Sequence, residues 1–472
     1  MFTKRLTMNR PTDSTRSGEG VKHPFASGRA LLLHVDADLD RFLGALPGGG
    51  WNLGPLVFGI RESERNEYIN SVHFDEAERR ENFSSDLART LYGSSSKTLS
   101  IRSHWIPQVP FRIGPQDASS PFHVVGIELL LAPKEIHTHD DVAGHAGILI
   151  VHLHHDHALT EPDAEWMGSQ FGVPRDRIGV LDDLQRVLPH SLDLLGLDFR
   201  NTNAAGALRD RPIYPVLTEL ELADDDGSEL LLIRALATLS PAAAAGESAS
   251  AERRDRARRD VHALSASWSV MVTPRGMVFH RAKASQAQFE QARLYVSGLY
   301  VDVVAATLLE RRLLERQSAA ARAMSARSEL DLDIMLDLRR ALVVLRTSFD
   351  RATRHEGAAT TTIVGALRRE LRSEEIRQSV ENEQDALIEI SDMEHQRRTE
   401  RSQRLTDLLL GLIAIVTLPL TVLYGALELL WSEEGRTSWF WWGTAISVVV
   451  GFSVLAALTL RRSHRSDRPR RV

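Results

Sequence analysis

The stretch LLLGLIAIVTLPLTVLYGALELL, residues 408–430, decides how the last third of this chain is read. It holds one charge, Glu428, close to its end. At about 1.5 Å rise per residue it reaches roughly 33 Å, enough to cross a hydrocarbon core of about 30 Å. Residues 439–460, WFWWGTAISVVVGFSVLAALTL, are uncharged and of similar length. Trp431, Trp439, Phe440, Trp441 and Trp442 crowd the short connection, where an interfacial aromatic belt belongs. Two transmembrane helices, 408–430 and 439–460, are therefore expected. Two buried helices of a soluble core are the alternative, and they give no reason for the belt.

The flanks orient the hairpin. HQRRTERSQR precedes the first span and RRSHRSDRPRR follows the second, whereas the loop SEEGRTS holds two glutamates and one arginine. The positive-inside bias puts both long ends in the cytoplasm, as in a multi-pass protein of the cell's inner (plasma) membrane. Residues 461–472 are then a basic cytoplasmic tail. Residues 1–27 have no apolar core of the secretory kind and read as a disordered leader.

Upstream of the membrane, residues 285–407 read as long stalk helices. In the first, Phe289, Val296, Leu299, Tyr300, Val303 and Val304 form one apolar stripe. In the second, 328–350, Met335, Leu338, Leu342, Leu345 and Phe349 are spaced three and four apart. A third helix starts near Ile363 and meets no Pro or Gly between Ala366 and the first span. From Glu374 to Leu430 it forms a rod of roughly 85 Å. Its apolar positions Ile376, Val380, Leu387 and Ile390 require partner helices, in a coiled-coil arrangement.

Through the membrane the same helix changes character. Asp407, Ala414, Thr421 and Glu428 recur every seven residues, with Gly411, Leu418 and Gly425 interleaved. Small and polar groups make one seam while the other faces are Leu, Ile and Val. Such a seam suits a water-filled axis between copies of the helix, with Asp407 and Glu428 as acidic rings at the two mouths. Carboxylates that snorkel to the interfaces, and glycines that permit tight packing, are the alternative. On the second span Gly443, Ser447 and Gly451 form a small-xxx-small stripe for helix packing.

A long cytoplasmic helix, a first span with Pro419, Leu420 and Thr421, a short outer loop, a second span and a basic tail resemble the CorA-type family of magnesium channels. The resemblance is specific over about residues 370–465. It implies a funnel-shaped homopentamer with an α/β cytoplasmic domain and first spans that line the pore. Thr421 is its pore-facing residue by this match, and Leu418 a hydrophobic constriction. The family ends its first helix with Gly-Met-Asn. Without a gap those positions hold Glu428, Leu429 and Leu430, and aligned on Tyr424-Gly425 they hold Gly425, Ala426 and Leu427. On either count this is a divergent member that lacks the selectivity signature. Mg²⁺ or another divalent cation is the transported or regulatory ion that the resemblance implies.

Residues 28–284 read as an α/β or α+β cytoplasmic domain. ALLLHVDADL, LVFGI, FHVVGIELLLA and GILIVHLHH are strand-like, with hairpins expected across Asp226-Gly227 and across Pro274-Arg275-Gly276. HLHHDH, residues 152–157, follows a strand and resembles the H-x-H-x-D-H metal motif of the metallo-β-lactamase superfamily. In an extended chain His152, His154 and Asp156 share one face, which can suit a metal. His190, His262 and His280 do not supply the later ligands of that superfamily in recognisable contexts. A polar strand end with hydrogen-bonded imidazoles, a regulatory metal site and, third, a zinc hydrolase are the readings left open.

The remaining composition narrows the function. The chain of 472 residues has no cysteine, so disulfide and thiolate chemistry are excluded. Its net charge of −6 does not point to nucleic acid. There is no P-loop, G-x-G-x-x-G or G-x-S-x-G, so no enzyme is expected. The leading expectation is a cation channel gated from its cytoplasmic domain. A membrane-anchored sensor that detects a cytoplasmic ligand or partner protein is the alternative.

Overall fold

The structure is a computed structural model. It describes residues 28–37, 42, 50–60, 76–83, 85–92, 101–108, 110–113, 122–132, 145–155, 213–218, 259–266, 268–281, 286–325, 336–337, 339–343, 346, 357–430 and 442. The chain divides into two compact units, residues 1–387 and 388–472. The second expected span with Gly443, Ser447 and Gly451 lies outside the described residues. So do Asp156, the leader, the basic tail and the hairpin at Asp226-Gly227.

The first unit is built on a mixed sheet flanked by helices, as the alternation of strand-like and helical runs predicts. Its strands are β1 (Arg29–Ala37), β2 (Asn52–Leu53), β3 (Ile101–Trp105), β4 (Phe111–Ile113), β5 (Phe122–Leu131), β6 (His145–His154), β7 (Ile213–Thr218), β8 (Val261–Ala263), β9 (Trp268–Thr273) and β10 (Gly276–Arg281). They run in the order β2-β3-β5-β6-β1-β7-β10-β9-β8, with β4 also on β5. The β7–β10 pair is parallel, and the other described pairs are antiparallel. LVFGI contributes only bridge residues at Phe58 and Gly59.

The middle strands are buried on both faces, which explains why they read as continuous apolar runs rather than alternating ones. Leu32 of β1 pairs with Ile150 of β6, and both join the core cluster beneath the helices. Leu31 pairs with Val151 and Leu33 with Leu149, and these too are buried. The β9–β10 hairpin closes with Thr273 opposite Gly276, so Pro274 and Arg275 alone form the turn. The Tyr214 hydroxyl reaches the carbonyls of Thr273 (3.0 Å) and Gly276 (3.1 Å) and pins that turn.

Helices α1 (Glu76–Glu81) and α2 (Ser85–Tyr92) precede β3. After β10 come α3 (Gln286–Tyr295), a π turn (Val296–Tyr300), α4 (Val301–Ser325), α5 (Ala358–Glu370) and α6 (Ser373–Leu430). The stripe predicted for the first stalk helix is too narrow. Every residue from Val301 to Glu310 is buried, because α4 is covered by β1, β6 and α5 together. The helical run Gln291–Ser325 contains an 18-residue window apolar enough to cross a membrane, yet 83% of that window is buried inside the protein, as befits a core helix.

The π turn has a tertiary reason. Gly28, at φ +64°, donates its N–H to Ser297 Oγ (2.7 Å) and accepts from Thr218 Oγ1 (2.7 Å). A Cβ at Gly28 would stand 2.6 Å from Thr218 Oγ1, so only glycine fits where β1 begins.

The third stalk helix begins at Ala358 and is broken once. Arg372 at φ 51° ends α5 in the left-handed conformation that closes many helices, a position usually marked by glycine. Arg368 grips Glu310 of α4 through Nε (3.1 Å) and Nη2 (2.9 Å). Ser318 of α4 donates to Glu383 (2.9 Å), and Arg339 pairs with Asp385 (2.9 Å). Val380 and Leu387 are buried and Ile376 is partly covered, as their need for partners predicted, while Ile390 is 43% exposed.

Candidate functional site

Helix α6 carries every residue of the expected seam. At 3.6 residues per turn, Asp407, Gly411, Ala414, Leu418, Thr421, Gly425 and Glu428 fall within an arc of roughly 100°. Asp407, Gly411, Ala414 and Thr421 are exposed. On the opposite side Leu405, Leu412 and Leu423 are 61%, 62% and 60% exposed, which is unusual for residues of this kind in contact with water. A Cβ at Gly411 or Gly425 would meet nothing within 4 Å. Among the described residues nothing requires glycine at these two places; they leave room for a close neighbour. Thr417 Oγ1 donates to the Ile413 carbonyl (2.7 Å), and Thr421 Oγ1 to that of Thr417. Pro419 has no N–H to give the Ile415 carbonyl, so that oxygen is left for a water, an ion or another donor.

The first unit holds a second cluster, of buried charge. Asp302 of α4 and Glu128 of β5 are fully buried, as is Arg79 of α1; Arg102 of β3 is nearly so. Asp302 Oδ1 accepts from Arg102 Nη2 (2.5 Å), and its Oδ2 from Arg79 Nη1 (3.3 Å) and the Tyr92 hydroxyl. Glu128 Oε2 accepts from Arg102 Nε (2.7 Å) and the Leu56 N–H (3.2 Å). Its Oε1 meets His152 Nε2 at 2.8 Å. All four carboxylate oxygens are engaged. The rings enclose the pair, with Arg102 over Tyr92 at 5.2 Å and Arg79 over Phe58 at 5.5 Å.

Two guanidiniums thus balance two carboxylates away from water. Burial would raise the Glu128 carboxyl, but the Arg102 charge and the His152 hydrogen bond outweigh it and hold the group well below the usual carboxylate range. Burial, and then the Asp302 charge, push the Tyr92 phenol well above its ordinary value. Each acidic group is consumed by its neighbours, so the cluster acts as a brace between α4, the sheet and α1.

The depressed Glu128 carboxyl has a pH signature. In the unfolded chain it titrates at about 4.3, and in the folded one lower. Its contribution is complete above that unfolded value and is lost as pH falls toward the folded one. Urea midpoints should therefore be flat in this respect above about pH 5 and fall below about pH 4.3. Glu128→Gln should be less stable at neutral pH and lose less on acidification.

The histidine motif lies only partly within the described residues. His152 shares the helix-facing side of β6 with Ala30 of β1 opposite it, and its Nε2 is committed to Glu128. His154 is buried on the same strand, and Asp156 is outside the described residues. Among the described residues no three His, Asp or Glu side chains are grouped to hold a metal ion. Within those residues the motif is a polar strand end with a hydrogen-bonded imidazole.

The sequence reading missed the brace. Asp302 in LYVDVVAATLL and Glu128 in VVGIELLL are lone charges inside apolar runs, a signal that marks a buried partner. Arg79 and Arg102 stand in ordinary polar surroundings and carry no such signal.

Comparison with protein-family models, with curated proteins and with solved structures finds no match to this chain.

Proposed function

We propose that the chain is a CorA-like oligomeric membrane channel for divalent cations, gated by a cytoplasmic domain formed from its sheet-bearing unit. One observation carries the reading. Helix α6 continues without interruption through residues 408–430, with a small and polar seam on one side and exposed leucines on the other. Leucines exposed to this degree call for lipid, and the seam calls for copies of itself. In this reading both termini are cytoplasmic, 439–460 forms the second span, and the oligomer is a homopentamer as the resemblance implies. Asp407, Thr421 and Glu428 contact the ion, Leu418 narrows the path, and Mg²⁺ is one cation it would carry.

A second reading is favoured by Glu428, Leu429 and Leu430 standing where the family keeps its selectivity signature. It makes the protein a membrane-anchored sensor that uses the same scaffold without selective magnesium transport.

Divalent-cation flux into liposomes separates the two. Purified protein should pass Mg²⁺, Co²⁺ or Zn²⁺ down a gradient, and Glu428→Ala combined with Thr421→Val should weaken or re-select that flux at least about tenfold, a change of 1.4 kcal/mol in barrier. A folded oligomer with no flux under any of the three gradients leaves the sensor.

A further inference from the structure

Apart from the seam and the brace, the first unit contains a cavity of about 420 Å³ between the β8–β9 turn, β10 and the helix start. Trp268, Phe279, Tyr295 and Tyr300 line it together with Ser265 and Gln291, and no charged side chain stands in the wall among the described residues. Phe279 is fully buried, and Trp268, Tyr295 and Tyr300 are half-buried. The size falls in the range of small-molecule sites.

The aromatic array depends on the π turn. Residues five apart on an α-helix diverge by about 140°. Across Val296–Tyr300 the wider winding brings Tyr295 and Tyr300 together, with ring centroids 6.1 Å apart. Tyr300 in turn stacks on Phe279 at 5.3 Å and 9°. Single π turns are rare and gather at functional sites. The facing turn is fixed as well, since Leu264 and Ser265 both donate N–H to the Trp268 carbonyl (2.9 and 3.0 Å) and the Trp268 N–H donates to Ser265 Oγ (3.1 Å).

Ring orientation selects the ligand. A cage for a quaternary ammonium sets rings at steep angles around a point, whereas Phe279 and Tyr300 are nearly parallel and Tyr295 is tilted by only 31° from Tyr300. Parallel rings extend a stack. Among the described residues the wall holds no ionised group to compensate a phosphate or carboxylate, while the Gln291 amide can pair with a donor–acceptor edge. We propose that this cavity binds a flat, uncharged nitrogen heterocycle stacked against Tyr300 and Tyr295. Occupancy clamps the π turn, and Asp302 of the brace follows that turn by two residues, so the ligand fixes the start of α4. The binding itself does not depend on conduction; as a trigger it would supply the ligand of the sensor reading.

Calorimetric titration of the full-length protein in detergent tests this with adenine, hypoxanthine and lumichrome, and with cyclohexanol as a non-aromatic control. Saturable binding of at least one heterocycle, and none of cyclohexanol, is expected. Ala292→Trp, which fills the cavity from its wall, should weaken that binding at least about tenfold. If this variant does not fold, Gln291→Trp reaches the cavity from an exposed rim position and serves in its place. No saturable binding of any heterocycle, equal binding of cyclohexanol, or undiminished binding in the filled variant overturns the proposal. Flux measured on the same preparation keeps the outcomes apart: binding lost with flux intact removes the ligand site alone, and flux lost with binding intact removes the channel alone.

Discussion

Asp302→Ala should cost about 3–5 kcal/mol of stability, the usual result of removing one partner from a buried charge pair. Among the described residues Asp302 is the carboxylate that pairs with Arg79, and it shares Arg102 with Glu128. Its removal leaves one guanidinium without a counter-ion and a second with half of its compensation, both out of reach of water. The Tyr92 hydroxyl loses its acceptor as well. Against a domain stability of about 5–15 kcal/mol this loss is large enough to shift the denaturant midpoint by a substantial fraction of its value. Urea unfolding followed by circular dichroism checks it. A cycle with Arg102→Met isolates the pairwise part, because the two side chains touch and their effects should fail to add by about 0.5–3 kcal/mol. Additive losses within a few tenths of a kcal/mol would mean that the two groups are held independently and that the brace is not a unit.

Most of the sheet could be read in the sequence because its middle strands are long and apolar: β1, β5, β6 and the β9–β10 hairpin lie where the patterns put them. What could not be read depends on partners distant in the chain. The predicted stripe on the first stalk helix assumed one covered face, but the first turns of α4 are covered by β1 and β6, far back in the chain, and by α5, which follows it. The π turn has no local signature, and the contact made within it, Gly28 N–H to Ser297 Oγ, comes from across the fold. Arg372 carries a helix break that glycine would have announced. His152 stood out in the sequence for its spacing, whereas its partner among the described residues, Glu128, stood on the neighbouring strand in plain view as a charge among leucines. The seam on α6 was legible because helical periodicity alone defines it, and its significance rests on chains beyond the one described.

A lysine placed on either side of α6 separates a conduit from an anchor. Leu423 and Thr421 differ in depth by about 3 Å but point to nearly opposite sides of the helix. If the leucine face meets lipid, Leu423→Lys should cost about 2.5–3.5 kcal/mol of insertion and lower the membrane-integrated fraction of the protein, measured by alkaline extraction. Thr421→Lys should insert far better, because its ammonium enters a water-filled axis. There each copy adds a positive charge to one ring. At an effective dielectric constant of about 20, one unit charge repels another 4 Å away by about 4 kcal/mol, so the ring should suppress cation flux by well over tenfold. A helix that only anchors the chain predicts another pattern: both lysines would face hydrocarbon or a packed neighbour, both would impair insertion alike, and no flux would exist to suppress. Good insertion of Thr421→Lys with flux unchanged would sink the conduit from the other side, since a charged ring on the path cannot leave cations indifferent to it.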